Sequence, residues 1–404
     1  MVSGIVVISH FGWRWHVTRQ FRQRCDAARL ARDWRSQREI AGEWAAWNPQ
    51  NGAAWWYAAE AAQKLDDLED LANCLANVPA SDANALLAAV EKANLEWTAL
   101  NRPLEALQTS LKVLALNPRV LEIQSRVVSF YAMSLQRVPL IKSIRAAMAV
   151  RAEPQESYAY LIMADNLTFS NGAAMNSRWL AGAPDEVRFK IGLALNTAMS
   201  LSQNADLEGM AEAAEWNREA LQQLQWFHER LPHDPVLLTY LMHRAYLASD
   251  TDEMEKLLKL VDESAIEDHM VWVYRGWYHQ TLQQWSEAEE AIREALRLFP
   301  LSPLAHHEYA KFLRARQRPD TEIARQQKLS AMGRELRSTV LRSRSAMDIS
   351  PGLLKDIADY AAECGDQLVA ESARYRWMQG LSKHERSELP TLNSTSESFN
   401  VRGR

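Results

Sequence analysis

Glycine and proline are both scarce in this chain, 14 of each in 404 residues, and cysteine is scarcer still at three. With few breakers and little polar/apolar alternation there is no basis for a sheet; Ala, Leu, Glu, Gln and Arg predominate, and they favour helix. Cys25, Cys74 and Cys364 are an odd number, far apart, with no Cys-x-x-Cys, so neither a disulfide framework nor a zinc site follows. The Gly-rich phosphate loops GxGxxG and GxxxxGK[ST] are missing, as is the GxSxG turn that presents a nucleophilic serine. A net charge of −5 gives no general attraction to nucleic acid or anionic membrane.

Long apolar runs are missing too. Ile5-Val6-Val7-Ile8 with Phe11, Trp13 and Trp15 makes an apolar stretch of about ten residues, too short to span a bilayer. It gives way to Arg14, Arg19, Arg22 and Arg24, and it lacks the basic start and cleavage site of a secretory signal. Residues 1–17 allow three readings: a cap on the end of the fold, an interfacial anchor with Trp at headgroup depth, or the remnant of a membrane helix if Met1 is an internal start. The first implies a cytoplasmic protein and the other two a membrane-associated one.

What the chain does have is a register. Asn48-Pro49, Asp82, Asn117-Pro118, Glu153-Pro154, Pro232, Asp268 and Pro300 each end an amphipathic run, and their spacings cluster at about 34 to 36 residues. Helix pairs are expected at 18–32 with 35–47, 53–64 with 68–78, 84–100 with 104–116, and 120–135 with 140–152. Regularity resumes with 210–231, then 235–249 with 252–261, 269–282 with 286–299, 303–316 with 321–332 or beyond, and 351–363 with 367–379. Between 155 and 210 the register slips: Asn171-Gly172, Gly182-Ala183-Pro184 and Gln203-Asn204-Ala205-Asp206 interrupt helices expected near 157–169 and 185–201. After Leu381 the composition turns to Ser, Thr, Glu and Asn without apolar period, the pattern of a disordered tail.

The clearest unit spans residues 269–302. Trp272, Gly276, Trp285, Ala288, Ala295 and Pro300 stand at the spacings of one tetratricopeptide (TPR) repeat: a large residue early, Gly where two helices approach, Ala where they cross, Pro after the second helix. The chain resembles that family over most of residues 18–335. The resemblance implies an all-α fold, an α-solenoid of stacked antiparallel helix pairs wound as a right-handed superhelix. Its expected parts are an apolar and aromatic segment at 1–17, an array at 18–154, irregular repeats or a hinge at 155–210, a second array at 211–335, capping helices at 336–381 and a disordered tail at 382–404.

In that family the first helix of each pair lines a concave groove. Carried over position by position, this places Trp56, Tyr57 and Glu60 in the groove, then Tyr240, His243 and Tyr246, then Tyr274 and Trp277, then His307, Lys311 and Arg314. Such a groove suits an extended peptide with apolar side chains and some acidic character. The carboxylate clamp that some family members build from Lys and Asn is not matched: Trp56, Glu91, Thr239, Val273 and His307 occupy the fifth position of their units, and no Asn stands at the ninth in the units that align.

The expected function is therefore a non-catalytic protein-interaction scaffold binding a peptide or partner helix, with no cofactor, no metal and no catalytic residues. The alternative is an accessory helical subunit of an enzyme or a membrane-associated assembly. A nucleic-acid solenoid ranks behind both: ten Lys or Arg between Lys311 and Arg344 face only Asp320, Glu322 and Glu335, but they spread around more than one helix. His306-His307 is no metal pair, because adjacent helical side chains point about 100° apart.

Overall fold

Left-handed backbone marks the turns of this molecule at a regular interval. In the computed structural model, which describes residues 2–167, 169, 171–201, 210–343, 345–346 and 348–380, positive φ occurs at Arg32, Asp66, Asn101 and Leu135, and again at Ser249, Gln283 and Gln317. Within each set these positions recur about every 34 residues, and each lies in the short turn between the two helices of a pair. Gly365, at φ 83°, does the same for the last pair. These turns interleave with the Asn-Pro and Asp marks of the sequence, which lie between one pair and the next.

Twenty helices and no strands occur among the described residues. The first four pairs are α1 (Val2–Leu30) with α2 (Trp34–Trp47), α3 (Gly52–Lys64) with α4 (Leu68–Ala76), α5 (Ala85–Trp97) with α6 (Pro103–Leu116), and α7 (Leu121–Met133) with α8 (Arg137–Ala149). Then come α9 (Glu156–Ile162), α10 (Gly172–Gly182), α11 (Val187–Leu201) and α12 (Met210–Arg230). Four further pairs follow: α13 (Pro235–Ala248) with α14 (Thr251–Lys259), α15 (His269–Thr281) with α16 (Trp285–Leu298), α17 (Pro303–Ala315) with α18 (Asp320–Arg342), and α19 (Pro351–Cys364) with α20 (Gln367–Gly380). The fold is an all-α solenoid of stacked antiparallel helix pairs in which neighbours in sequence pack together, except around α9, which lies against α7 and α18.

Local chemistry sets the boundaries. Asp33, Asp67, Asp250 and Asp268 accept the free N–H groups at the starts of α2, α4, α14 and α15, and Ser302 and Ser350 do so for α17 and α19. Pro103, Pro235, Pro303 and Pro351 occupy the first turn, where no amide donor is needed. Two expectations change. The amino-terminal helix is continuous from Val2, with no break near residue 17. The helix expected over 157–169 ends at Ile162, and a helix that the sequence did not announce, α10, lies between the interruptions at Asn171-Gly172 and Gly182-Ala183-Pro184. The Gln203–Asp206 turn and the tail from 382 lie outside the described residues.

Glycine is tolerated in the middle helices because an asparagine fills the space across from it. A Cβ on Gly172 would strike Asn196, and one on Gly192 would meet Asn176 Oδ1 at 2.5 Å. Both asparagines are buried and donate to the same carbonyl, Met133 O at the end of α7, at 2.8 and 3.3 Å. Gly182 packs against the backbone carbonyl of Asn101, whose amide in turn donates to Arg178 O at 2.7 Å, fixing α10 on the turn between α5 and α6.

The solenoid also returns on itself. All of α9 is buried, with α18 packed on it, and α20 packs against α8. Arg145 pairs with Asp366, Arg376 Nε with Glu153 at 2.8 Å, Arg137 with Asp268, and Gln155 Nε2 donates to Ile349 O at 3.0 Å. One apolar core accordingly joins residues between Ala93 and Leu237 to residues between Phe299 and Ala373, while α13 to α16 hold another around Met242, Tyr274 and Trp277.

Candidate functional site

The eleven residues placed in the groove divide into two groups. Trp56, Tyr57 and Glu60 come together on α3 in the wall of an open cleft of about 580 Å³, with Arg22 and Arg29 of α1 and Asp82 and Asn84 from the turn before α5. The cleft is firmly built. Tyr57 donates to Asp26 at 2.6 Å, Arg29 pairs with Asp26 at 3.2 Å and lies 5.7 Å from the Tyr57 ring, and buried Gln37 donates to Glu60 at 2.9 Å and to Tyr57 O at 3.0 Å. Burial and then the Asp26 carboxylate push the Tyr57 phenol up to about 12, so it stays a neutral donor. Trp56 Nε1 has no hydrogen-bond partner.

Of the second group, Tyr240, His243 and Tyr274 lie where a segment from earlier in the chain packs against them. Tyr240, His243 and Tyr274 share a void of only about 40 Å³ with Asp165, Asn166 and Leu167, which lie against the first helices α13 and α15. Tyr274 is 1% exposed and Trp277 7%. The Tyr274 hydroxyl and His243 Nδ1 are 3.0 Å apart, and Trp277 packs edge-on to Tyr246 at 5.4 Å. Tyr246 donates to Glu308 at 2.8 Å; Glu308 is fully buried and is also reached by Gln280 at 3.3 Å and Lys311 at 3.1 Å. His307 is half-buried, while Lys311 and Arg314 are exposed.

The residue that organises this interior is Asp165. Its carboxylate accepts from His269 Nε2 at 2.9 Å, Ser302 Oγ at 2.9 Å and the Leu304 N–H at 3.0 Å. Burial opposes its ionisation, but the bonds from His269, Leu304 and Ser302 outweigh that, and its pKa is held below the ordinary carboxylate value. Serine, histidine and aspartate meet here without forming a catalytic relay. Ser302 bonds to Asp165 and caps α17 rather than meeting the imidazole, and it is fully buried. Among the described residues no group of three or more His, Cys, Asp or Glu is placed to hold a metal. His306 is buried between Gln326 and Pro300 O while its neighbour His307 is half-exposed, as adjacent helical positions require.

A third feature has no counterpart in the sequence reading. A cleft of about 740 Å³ is bounded by Trp97, Phe130, Tyr160 and Trp179, with Arg126 and Arg178 among its polar residues. The Phe130 ring lies tilted against Trp97 at 5.6 Å and against Trp179 at 5.1 Å. Its walls come from α5, α7, α9 and α10, and two of those helices lie in the region where periodicity fails, so no local signal marks it.

Residues 270–312 match the family model described as the tetratricopeptide repeat. No curated protein sequence matches the chain. Among solved structures it is similar to the Cut9–Hcn1 hetero-tetramer of the APC/C at 12% identity, covering 90% of this chain and 79% of that one with a TM-score of 0.30. Yeast Tom70 matches at 14% identity over 90% and 76%, TM-score 0.26, and the human IFIT1 dimer with PPP-AAAA at 16% over 78% and 72%, TM-score 0.31. Likeness at this level identifies no shared function.

Proposed function

We propose that this tetratricopeptide-repeat protein is a non-catalytic scaffold that takes an extended segment of a partner protein in the cleft between α1 and α3. The observation that carries the reading is a contrast between two sets of residues: Asp165–Leu167 pack against Tyr240, His243 and Tyr274, whereas the Trp56–Tyr57–Glu60 wall is open. Trp and Arg at the centre of a cleft are the residue types that most often dominate binding energy. Arg22 and Arg29 beside Trp56 suit an apolar anchor flanked by a carboxylate.

The test is affinity capture with the full chain and with Trp56→Ala and Arg22→Glu variants. The reading expects the same co-purifying proteins to be lost from both at unchanged helicity. Retention by both variants would overturn it.

A second reading concerns α1. No helix among the described residues is long and apolar enough to cross a membrane. Trp13 and Trp15 are nonetheless 55% and 62% exposed beside Arg14 and Arg19, the pairing that seats a helix at an anionic lipid surface. Co-sedimentation with phosphatidylserine vesicles that is lost on Trp15→Ala would support it, and no sedimentation would remove it.

A further inference from the structure

The cleft between α5, α7, α9 and α10 holds a carboxylate that the fold leaves without a counter-charge. Glu156 begins α9, is 3% exposed and lines the cleft. Its Oε1 accepts the Ser125 hydroxyl, and among the described residues that is its one side-chain bond. A buried carboxylate held by a single hydroxyl and joined to no cation is costly to keep.

The other charges around the cleft are engaged. Arg376 Nε and Nη2 donate to Glu153 Oε1 and O at 2.8 and 2.6 Å, and the Tyr158 hydroxyl reaches the same Oε1 at 2.9 Å. Arg178 Nη2 donates to Thr98 O at 3.1 Å, and Arg126 stands 3.8 Å from Glu122. Arg178 and Glu122 are exposed, where solvent and salt screen them.

Beside Glu156 the wall is aromatic. Tyr160 follows it by one turn of α9; burial, opposed by the Ser129 hydroxyl and aided by the Glu156 charge, pushes its phenol up to about 12. Trp97, Phe130 and Trp179 continue the wall, with half-buried Met175 and exposed Leu121. Aromatic faces attract cations and pack well against flat apolar groups.

We propose that this cleft is a small-molecule site whose ligand is an organic ammonium ion on a flat apolar body, the ammonium on Glu156 and the body against the aromatic wall. Its volume of about 740 Å³ falls within the roughly 300–1,000 Å³ of such sites. A free small molecule fits better than the lysine of a partner chain, because rim groups such as Arg178, Thr98 and Arg126 already bond within the molecule. The site is separate from the cleft between α1 and α3.

Isothermal titration of the full chain with tryptamine tests this, against tryptophol and indole-3-acetate, which carry the same ring with a neutral and an anionic end. The expected result is saturable binding of tryptamine, about tenfold or more tighter than either, the factor that one charge-assisted hydrogen bond supplies. Glu156→Gln should remove that preference at an unchanged or raised melting temperature, since the amide still accepts from Ser125 and the buried charge is gone. Glu122→Gln, at the exposed rim, should leave the preference intact. Amide exchange of the parent chain needs no variant: tryptamine should slow residues 121–130 and 171–179 and not 52–60. Absence of saturation, equal affinity for the three probes, a preference kept in Glu156→Gln, or protection at 52–60 alone would each overturn it. A Gly-Lys-Gly peptide that binds more tightly than tryptamine would do so too, by assigning the cleft to a partner's side chain. None of these outcomes bears on capture through Trp56, which tests the scaffold reading.

Discussion

Asp165 and His269, 104 residues apart in the chain, meet at 2.9 Å in the buried interior of the solenoid. This contact, with the bonds from Ser302 and Leu304, ties the segment after α9 to the starts of α15 and α17. The later repeats therefore hold part of their own chain against their first helices.

Replacing Asp165 with Ala should cost about 3–5 kcal/mol in unfolding free energy, because it strands buried donors on three sides. The carboxylate is held below its unfolded value, so its contribution is present above a pH of about 4 and lost as pH falls through the lower folded value. Acid unfolding of the Asp165→Ala chain should accordingly be shallower than that of the parent. Equal stability of the two chains in urea titration would contradict this.

Three histidines predict a separate dependence nearer neutrality. His243 is lowered by burial and then by Arg337 and Arg137; burial is the leading cause for His306 and His307 too. For a histidine whose folded pKa is lowered, the unfolded chain takes up the proton first. The stabilisation is complete above about pH 6.5 and is lost as pH falls toward the folded values. The urea midpoint should thus be lower at about pH 5.5 than at about 7.5; a midpoint that stays level or rises would show that these histidines are charged in the fold.

Tyr274→Ala and Trp277→Ala should each remove about 3–5 kcal/mol of stability, as truncation of buried aromatics does. Trp56→Ala, at a half-buried position in an open wall, should cost distinctly less. Comparable melting losses at all three positions would place Trp56 in the core instead of the site.

The left-handed turns offer a test of opposite sign. Exposed Gln283, at φ 58°, pays the steric cost of a Cβ in that region, so Gln283→Gly should stabilise by about 0.5–1 kcal/mol. Gly182→Ala should destabilise by about 1–3 kcal/mol or more, because its Cβ would run into Asn101 O. Thermal melts of the two variants shifting in the same direction would refute this account of the turns.

Legibility in the sequence followed the range of the interactions involved. Helices such as α2, α15 and α17 are written locally, in the caps Asp33, Asp268 and Ser302 and in an amphipathic stripe. The seven residues of α9 are buried all round and have no polar face to supply a period, and Gly172 reads as a breaker unless Asn196 is known to lie across from it. The return of the solenoid rests on Arg145 with Asp366 and Arg376 with Glu153, more than 200 residues apart, which no window on the chain reveals. For the same reason Trp56, Tyr57 and Glu60 could be grouped from their positions in one helix, while the burial of Tyr274 depends on a segment from another part of the chain.

Amide hydrogen exchange of the full chain, alone and with a captured partner, addresses the division between an open and a self-filled face most directly. The account predicts that residues 156–165 are among the slowest to exchange in both states, and that new protection on binding includes 22–29 and 52–60 but not 240–246 or 274–277. Rapid exchange at 156–165, or partner protection that replaces it along α13 and α15, would contradict the account.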